Sequence, residues 1–289
     1  MSPVLTVGVL HPGQMGAAIA AQVASNGHTV LWCPAGRSDA TAHRAHHAGL
    51  RLVPQLRDLL EQSQIVLSIC PPASAEQLAA EVAGGDFHGV YVDANAISPD
   101  RMHRITDLLS DTGATVVDGS IIGPPPGGEA TARLYLAGRA ADTDRVAELL
   151  IGTRAKPVYL GDDLGRASAL KMAFASYQKA HRTLAALAHA LADDHDVTEA
   201  LLTEARRMPG DALADRDYLS SVAARAWRWA PEMREVADTL TARHLPPDLA
   251  LATAEVLQHW AEAATDQTTD PATTLQHLHD RQERTHGAI

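Results

Sequence analysis

Apolar residues form short runs through the first half of the chain, and segments with helical spacing, such as residues 75–83 and 99–110, lie between them. Strands that alternate with helices in this way are typical of a parallel sheet covered on both faces. The last two runs are predicted to lie at the sheet edge. The predicted strands are residues 7–10, 29–33, 50–53, 64–70, 89–93, 114–118, 133–138 and 156–161.

The pattern changes after Gly161. Residues 164–193 read as one alanine-rich helix, and more helical segments follow, with interruptions predicted at Pro209, Pro231, Pro246 and Asp270. No strand is predicted in this half. We therefore expect two domains, an α/β domain with a doubly wound sheet at residues 1–162 and an all-α domain at residues 163–289.

A glycine loop separates the first strand from the first helix. A strand, a tight glycine turn and a helix N-terminus together form the binding site for the pyrophosphate of a dinucleotide in Rossmann-type domains. The usual fingerprint is G-x-G-x-x-G, and here His11 stands at the first glycine position, while Gly13 and Gly16 hold the other two. The alternative is an ordinary strand–turn–helix unit with two glycines. The predicted cofactor contacts in this loop are His11, Pro12, Gly13, Gln14 and Met15.

The end of the second strand distinguishes NAD from NADP. NAD sites place a carboxylate there, next to the ribose 2′-hydroxyl. This chain has no carboxylate before Asp39, whereas Arg37 and Ser38 can bind a 2′-phosphate by a charge-assisted hydrogen bond and a hydroxyl. Arg44 is a second candidate cation. The sequence therefore favours NADP(H), and the alternative for Arg37 is a solvated loop residue.

Two further strand ends are predicted to reach the ligand edge of the sheet. Cys70, Pro71 and Pro72 form an uncharged turn after the fourth strand, and Asn95 follows the fifth. We expect Asn95 to contact the ribose or the nicotinamide. Ser98, which precedes Pro99, is more simply a helix N-cap.

Lys171 is a lone cation in an alanine-rich helical segment that follows the first domain, and Ser168 and Gln178 share its helix face. A lysine among small apolar residues is unfavourable unless it is exposed or has a partner. One interpretation is a surface cation. The other is a general acid that donates a proton to a carbonyl oxygen as the carbonyl carbon accepts hydride.

Composition excludes several classes of function. The net charge of −11 and the lack of a basic run argue against nucleic acid as a partner. No apolar stretch is long enough for a membrane span, no signal peptide is recognised, and two cysteines give no disulfide framework, so a cytoplasmic protein is expected. The chain has 15 histidines, but His43, His46 and His47 lack a carboxylate set, and we expect no metal.

Several motifs spread over most of the chain together carry a resemblance to a known family; they are residues 10–13, 36–38, 93–99, 118–125, 167–172 and 227–233. Taken together, they resemble the β-hydroxyacid dehydrogenases, the superfamily that also contains 6-phosphogluconate dehydrogenases and imine reductases. The resemblance is greatest to the branch with a putative 6-phosphogluconate-dehydrogenase-like C-terminal domain of unknown function. It implies an NADP-binding first domain, a helical second domain and a homodimer.

The resemblance assigns roles unevenly. Lys171 matches the family's catalytic lysine, but Phe174 and Ala175 stand where an asparagine is usual. In the substrate-binding segment Ile122 replaces a serine beside Gly123, and Pro124 replaces a glycine. The implied substrate contacts are Ile122, Gly123, Ser168, Gln178 and Trp229, and Trp229 is also interpretable as an anchor in a core or interface.

The sequence thus predicts an NADPH-dependent oxidoreductase that transfers hydride to a small, hydroxyacid-dehydrogenase-like carbonyl substrate, with Lys171 as proton donor. Two alternatives stay open. One is reduction of a C=N bond, because an iminium carbon accepts hydride with little help from an acid. The other is an NADP-binding protein without catalytic activity, since the family's asparagine and serine are missing.

Overall fold

A computed structural model describes residues 3–194, 196–207, 215–242, 244–263 and 267–279 of the chain. Two compact units are found, Met1–Lys171 and Met172–Ile289. The predicted domain limit at residue 162 precedes the division between these units by nine residues, and it stays a prediction. In the described part of the chain no helix is long and apolar enough to cross a membrane.

The first unit contains one sheet of eight strands in the order β3-β2-β1-β4-β5-β6-β7-β8. The strands are β1 (Thr6–Val9), β2 (Thr29–Trp32), β3 (Arg51–Leu52), β4 (Ile65–Ser68), β5 (Val90–Asp93), β6 (Thr115–Ile122), β7 (Ala132–Ala137) and β8 (Ala155–Tyr159). Strands β1 to β6 are parallel, β7 is antiparallel to β6, and β8 is parallel to β7. The strand order reverses between β1 and β4, which is the arrangement of dinucleotide-binding domains.

Helices connect the parallel strands. In the first unit these are α1 (Gln14–Ser25), α2 (Asp39–His47), α3 (Leu56–Gln62), α4 (Ala75–Ala83), α5 (Pro99–Leu109) and α6 (Ala140–Glu148). Alternate side chains of each central strand enter two apolar clusters, as on β5, where Val90 and Val92 join one cluster and Tyr91 joins the other. The sheet is therefore buried on both faces, and the predicted α/β class is confirmed. Of the two strands predicted at the sheet edge, β8 is the edge strand, whereas β7 lies between β6 and β8.

The described residues of the second unit form helices joined by turns and loops, with no strand among them. The helices are α7 (Arg166–Asp194), which begins in the first unit, α8 (Thr198–Ala205), α9 (Leu219–Ala223), α10 (Ala226–Ala242), α11 (Asp248–Glu262) and α12 (Pro271–Gln276). The interruption predicted at Pro231 is wrong, since α10 continues through it. Trp229, Ala230 and Met233 around this proline are buried, and their packing outweighs the lost backbone hydrogen bond. Pro209 lies outside the described residues.

Candidate functional site

The glycine loop joins β1 to α1 at the carboxyl edge of the sheet. Gly13 is the N-cap of α1; no side chain caps the helix, and no acidic residue lies in its first turn. A Cβ atom on Gly16 would collide with the carbonyl oxygen of His11, so only glycine allows the helix to approach the loop. An uncapped helix N-terminus with a positive dipole end fits an anionic pyrophosphate. Of the other predicted contacts, Pro12 is buried, Met15 is half-buried and Gln14 is exposed.

The ring of His11 lies beside Gly13 in this loop. A Cβ atom on Gly13 would lie 3.2 Å from Cδ2 of His11, so the ring is in contact distance of the N-cap. The Nδ1 atom is buried and has no hydrogen-bond partner among the described residues. Burial lowers the pKa of His11, and the positive charges of Arg37 and Arg44 lower it further.

Two arginines follow β2, Arg37 in the loop after the strand and Arg44 on helix α2. Nη2 of Arg37 donates to the carbonyl oxygen of Leu10 at 3.0 Å, which fixes the arginine beside the glycine loop. Ser38 is the N-cap of α2; its Oγ accepts from the backbone N–H of Thr41 at 3.3 Å, and Nη2 of Arg44 donates to Oγ1 of Thr41 at 3.0 Å. The Nε atoms of both arginines are buried without a hydrogen-bond partner in the described part of the chain. These groups fit a phosphate monoester.

Asn95 is buried, and its amide is used within the first unit. Its Oδ1 accepts from the backbone N–H of Cys70 at 2.6 Å, and its Nδ2 donates to Oγ of Ser68 at 3.0 Å and to Oδ2 of Asp93 at 2.9 Å. This geometry favours a positioning role for Asn95, under the loop after β4, over the predicted direct contact with the cofactor. Burial raises the pKa of Asp93 to about 7. Burial, with the nearby Asp93 charge, raises the pKa of the Cys70 thiol to about 12.

The turn at Pro71 and Pro72 is held from the side of α5. Nη2 of Arg101 donates to the carbonyl oxygen of Pro72 at 2.9 Å, and Nε of Arg101 pairs with Glu76 at 2.9 Å. Arg104 pairs with the same carboxylate at 2.8 Å. Sequence reasoning missed this support, because an arginine on α5 gives no sign of a partner 29 residues earlier. Arg101 therefore holds in place the turn that contains Cys70, Pro71 and Pro72, the three residues predicted to contact the cofactor.

Asp118 anchors the beginning of α7 on β6. Its Oδ2 accepts from the backbone N–H groups of Ala167 at 2.9 Å and Ser168 at 3.1 Å, and its Oδ1 accepts from Oγ of Ser168 at 2.7 Å. Burial raises the pKa of Asp118, although these hydrogen bonds act in the opposite direction. Ser168 is completely buried. Its geometry favours support of α7 over the predicted contact with substrate.

Lys171 lies one turn further along α7. Its half-buried ammonium donates to the carbonyl oxygen of Ile121 at 2.8 Å, near the carboxyl end of β6. The carboxyl ends of β1 and β6 share one edge of the sheet, because both strands belong to its parallel part. The predicted proton donor and the glycine loop therefore lie on the same edge, where ligands of doubly wound domains bind.

Ile122 and Gly123 follow the carbonyl group that accepts from Lys171. The side chain of Ile122 is buried, and Gly123 has a φ of +126°, with Thr131 O only 2.8 Å from where a Cβ would be. Glycine is required there. Phe174 is 38% exposed and Ala175 is buried, at the positions where the resembling family has asparagine.

The second unit contains the last two predicted contacts. Gln178 is half-buried, whereas Trp229 is buried and lies 5.5 Å from Nζ of Lys179, measured to the ring centroid. Lys179 forms a buried ion pair with Glu232, which the sequence did not suggest. A role for Trp229 in the helical core fits this packing, and its contact with substrate stays a prediction. In the part of the chain that the structure describes, no three His, Cys, Asp or Glu side chains group as metal ligands.

Comparison with known proteins gives two family matches. The family described as the NAD binding domain of 6-phosphogluconate dehydrogenase matches residues 6–161, and a domain of unknown function (DUF1932) matches residues 192–260. An uncharacterized 28.5 kDa protein of Methanothermus fervidus is 25% identical over 236 residues, which cover 81% of this chain and 90% of that protein.

Two solved structures show the same fold. The 3-hydroxyisobutyrate dehydrogenase of Mycobacterium tuberculosis matches with a TM-score of 0.76 at 16% identity, over 96% of this chain and 99% of that chain. The imine reductase of Myxococcus stipitatus, in complex with NADP+, matches with a TM-score of 0.60 at 21% identity, over 94% of this chain and 99% of that chain.

Proposed function

Since this chain belongs to the 6-phosphogluconate dehydrogenase-like superfamily of β-hydroxyacid dehydrogenases, we propose that it is an NADPH-dependent oxidoreductase that reduces a small carbonyl compound. The observation that carries the proposal is Lys171, whose ammonium is held by the carbonyl group of Ile121 on the sheet edge that carries the glycine loop. We also propose that residues 1–162 bind the cofactor and that the protein is a homodimer.

Each part of the site has a separate role in the proposed reaction. The uncapped N-terminus of α1 binds the pyrophosphate, and Arg37 with Ser38 binds the 2′-phosphate. A bound nicotinamide cofactor supplies the hydride that the carbonyl carbon accepts. Lys171 donates a proton to the carbonyl oxygen, which becomes a hydroxyl group, and Asp118 keeps Lys171 in place through α7. Asn95 accepts a hydrogen bond from the backbone N–H of Cys70 and so holds the loop after β4 in place beside the cofactor.

The choice of cofactor is tested on Arg37. We expect Arg37→Ala to weaken NADPH binding by about 1–3 kcal/mol, the usual contribution of hydrogen bonds to charged groups, and to leave NADH binding nearly unchanged. Fluorescence titration of both cofactors measures this. Arg57→Ala, at an exposed arginine of α3, is the control and should leave both affinities unchanged. Tighter binding of NADH than NADPH by the unaltered protein would contradict the proposal.

The catalytic role is tested on Lys171. Lys171→Met keeps the length of the side chain and removes the proton and the charge, so we expect normal NADPH binding and a loss of about 10²–10⁴-fold in turnover of a carbonyl panel. Cyclic iminium ions should lose less, because they already carry positive charge. Lys156→Met, at an exposed lysine of β8, is the matched control.

Each other outcome has a defined meaning. Unchanged turnover of both carbonyls and iminium ions in Lys171→Met would exclude Lys171 as the proton donor and leave it a half-buried cation that binds the carbonyl oxygen of Ile121. Activity confined to imines in the unaltered protein would make it a C=N reductase. Tight NADPH binding with no turnover on either panel would favour the cofactor-binding protein without catalysis.

A further inference from the structure

His11 is an unusual residue for the position that it holds. The dinucleotide fingerprint places glycine there, and glycine has no side chain to meet the ligand. In this chain an imidazole ring lies against Gly13, beside the N-terminus of α1, where the phosphate groups of a dinucleotide bind. Its Nδ1 is buried and accepts or donates no hydrogen bond among the described residues. A buried polar atom without a partner is unfavourable, so its presence calls for a function.

The charged groups that face this ring come from the end of β2 and from α2. They are Arg37, which is fixed to the carbonyl oxygen of Leu10, and Arg44, which is fixed to Thr41. The adjacent turn after β4 contains the Cys70 thiol, on which the Arg37 charge also acts, and α1 has no acidic residue in its first turn. Among the described residues, the charged groups that act on His11 are these two arginines.

We propose that His11, Arg37 and Arg44 form one binding site for a phosphate monoester, the 2′-phosphate of NADPH, and that His11 takes up a proton when the phosphate binds. This inference rests on the NADPH preference proposed above. Two fixed guanidinium charges disfavour a third positive charge, and burial acts in the same direction. Without a ligand, burial and the two arginines therefore lower the pKa of His11 and favour the neutral ring. A dianion between the three groups reverses the sign of the local field and favours the imidazolium ion.

If His11 takes up a proton on binding, the affinity for NADPH should fall as the pH rises. Above pH 7 the 2′-phosphate is mostly a dianion, because its second pKa is about 6, so its own titration contributes little. A proton taken up on binding must come from solution, and it becomes less available as the pH rises. The dissociation constant of NADPH should therefore rise with pH, by at most about tenfold per pH unit for one proton, while that of NADH stays flat.

Isothermal titration calorimetry in two buffers with different ionisation enthalpies tests this on the full chain. At pH 7.5 we expect the protein to take up a proton when it binds NADPH, with none when it binds NADH. His11→Asn keeps a hydrogen-bond donor but does not titrate, and it should abolish the uptake and the pH dependence of the NADPH dissociation constant. His11→Gly, which restores the fingerprint glycine, should do the same. His46→Asn, at an exposed histidine of α2, should behave as the unaltered protein.

The results separate the two proposals. Proton uptake that persists in His11→Asn and His11→Gly, or equal uptake with NADH, overturns the role of His11 and leaves the NADPH preference intact. NADPH binding no tighter than NADH binding by the unaltered protein overturns both. If NADPH binds more tightly than NADH and no proton is taken up, only the role of His11 is overturned.

Discussion

At the scale of single residues, Asp93 is a carboxylate whose ionisation is coupled to folding. It is buried at the end of β5, and its two oxygens accept from the backbone N–H of Asn95 at 3.1 Å and from its Nδ2 at 2.9 Å. Burial outweighs these hydrogen bonds and raises the pKa from 3.8 to about 7. Between these two values the folded protein holds a proton that the unfolded chain has released, so the free energy of unfolding falls as the pH rises.

Asp93→Asn tests this coupling. The amide does not titrate, so we expect the free energy of unfolding of the unaltered protein, relative to the variant, to fall between pH 4 and pH 7 by at most about 1.4 kcal/mol per pH unit. Urea denaturation at pH 4, 5, 6 and 7 measures the slope. Asp107→Asn, at an exposed position of α5, should not change it. Parallel slopes for Asp93→Asn and the unaltered protein would contradict the raised pKa.

Sequence reasoning can place a residue in the fold when its position depends on near neighbours along the chain. Gly13 follows a strand and opens a helix, and Arg37 follows the next strand, so their place at the sheet edge is a local property. Asn95 and Ser168 are different. Their partners Cys70 and Asp118 are 25 and 50 residues away, and no spacing rule indicates that these groups meet.

At the scale of elements, α7 depends on a residue outside it. The backbone N–H groups of Ala167 and Ser168 have no partner within the helix, because they lie in its first turn. Asp118 accepts both, and its negative charge also stabilises the helix dipole. The carboxylate thus fixes both the start of α7 and the position of Lys171 one turn later.

We expect Asp118→Ala to reduce the free energy of unfolding by about 1–3 kcal/mol, because it leaves two buried N–H groups and one hydroxyl without an acceptor. Asp118→Asn keeps one acceptor oxygen, so its free energy of unfolding should fall by less. Both are measured by urea denaturation. Asp58→Ala removes a solvent-exposed acceptor, which binds the backbone N–H of Gln55 at the start of α3; it is the comparison and should cost less, about 0.5 kcal/mol. An Asp118→Ala variant as stable as the unaltered protein would exclude the anchor.

The type of most elements was predictable from hydrophobic spacing, whereas their ends were set by tertiary pairing. Strand β6 was predicted to end at Asp118, but it continues to Ile122 because residues 119–122 pair with β7. The antiparallel direction of β7 has no signature in the alternation of strands and helices. The added residues of β6 include Ile121, whose carbonyl oxygen accepts a hydrogen bond from Lys171. The part of the strand that hydrophobic spacing did not predict therefore belongs to the candidate site.

At the scale of the whole molecule, an exposed apolar face of α7 favours association with a second copy of the chain. Phe174, Tyr177 and Leu184 lie on one face of α7 at spacings of three and seven residues, and they are 38%, 72% and 50% exposed. A row of large exposed apolar side chains on a long helix is typical of an interface. The spacing is that of a helix seam, which packs favourably against a second copy related by a twofold axis.

The last prediction follows from this face. We expect a mass near twice 30.7 kDa at micromolar concentration, measured by light scattering. The double variant Tyr177→Glu with Leu184→Glu should be a monomer of unchanged helix content by circular dichroism, because a twofold axis brings four new carboxylates into one apolar contact. Leu108→Glu, at an exposed leucine of α5, should remain a dimer. A monomer mass for the unaltered protein would refute the dimer, whereas a double variant that stays dimeric would exclude this face of α7 as the interface.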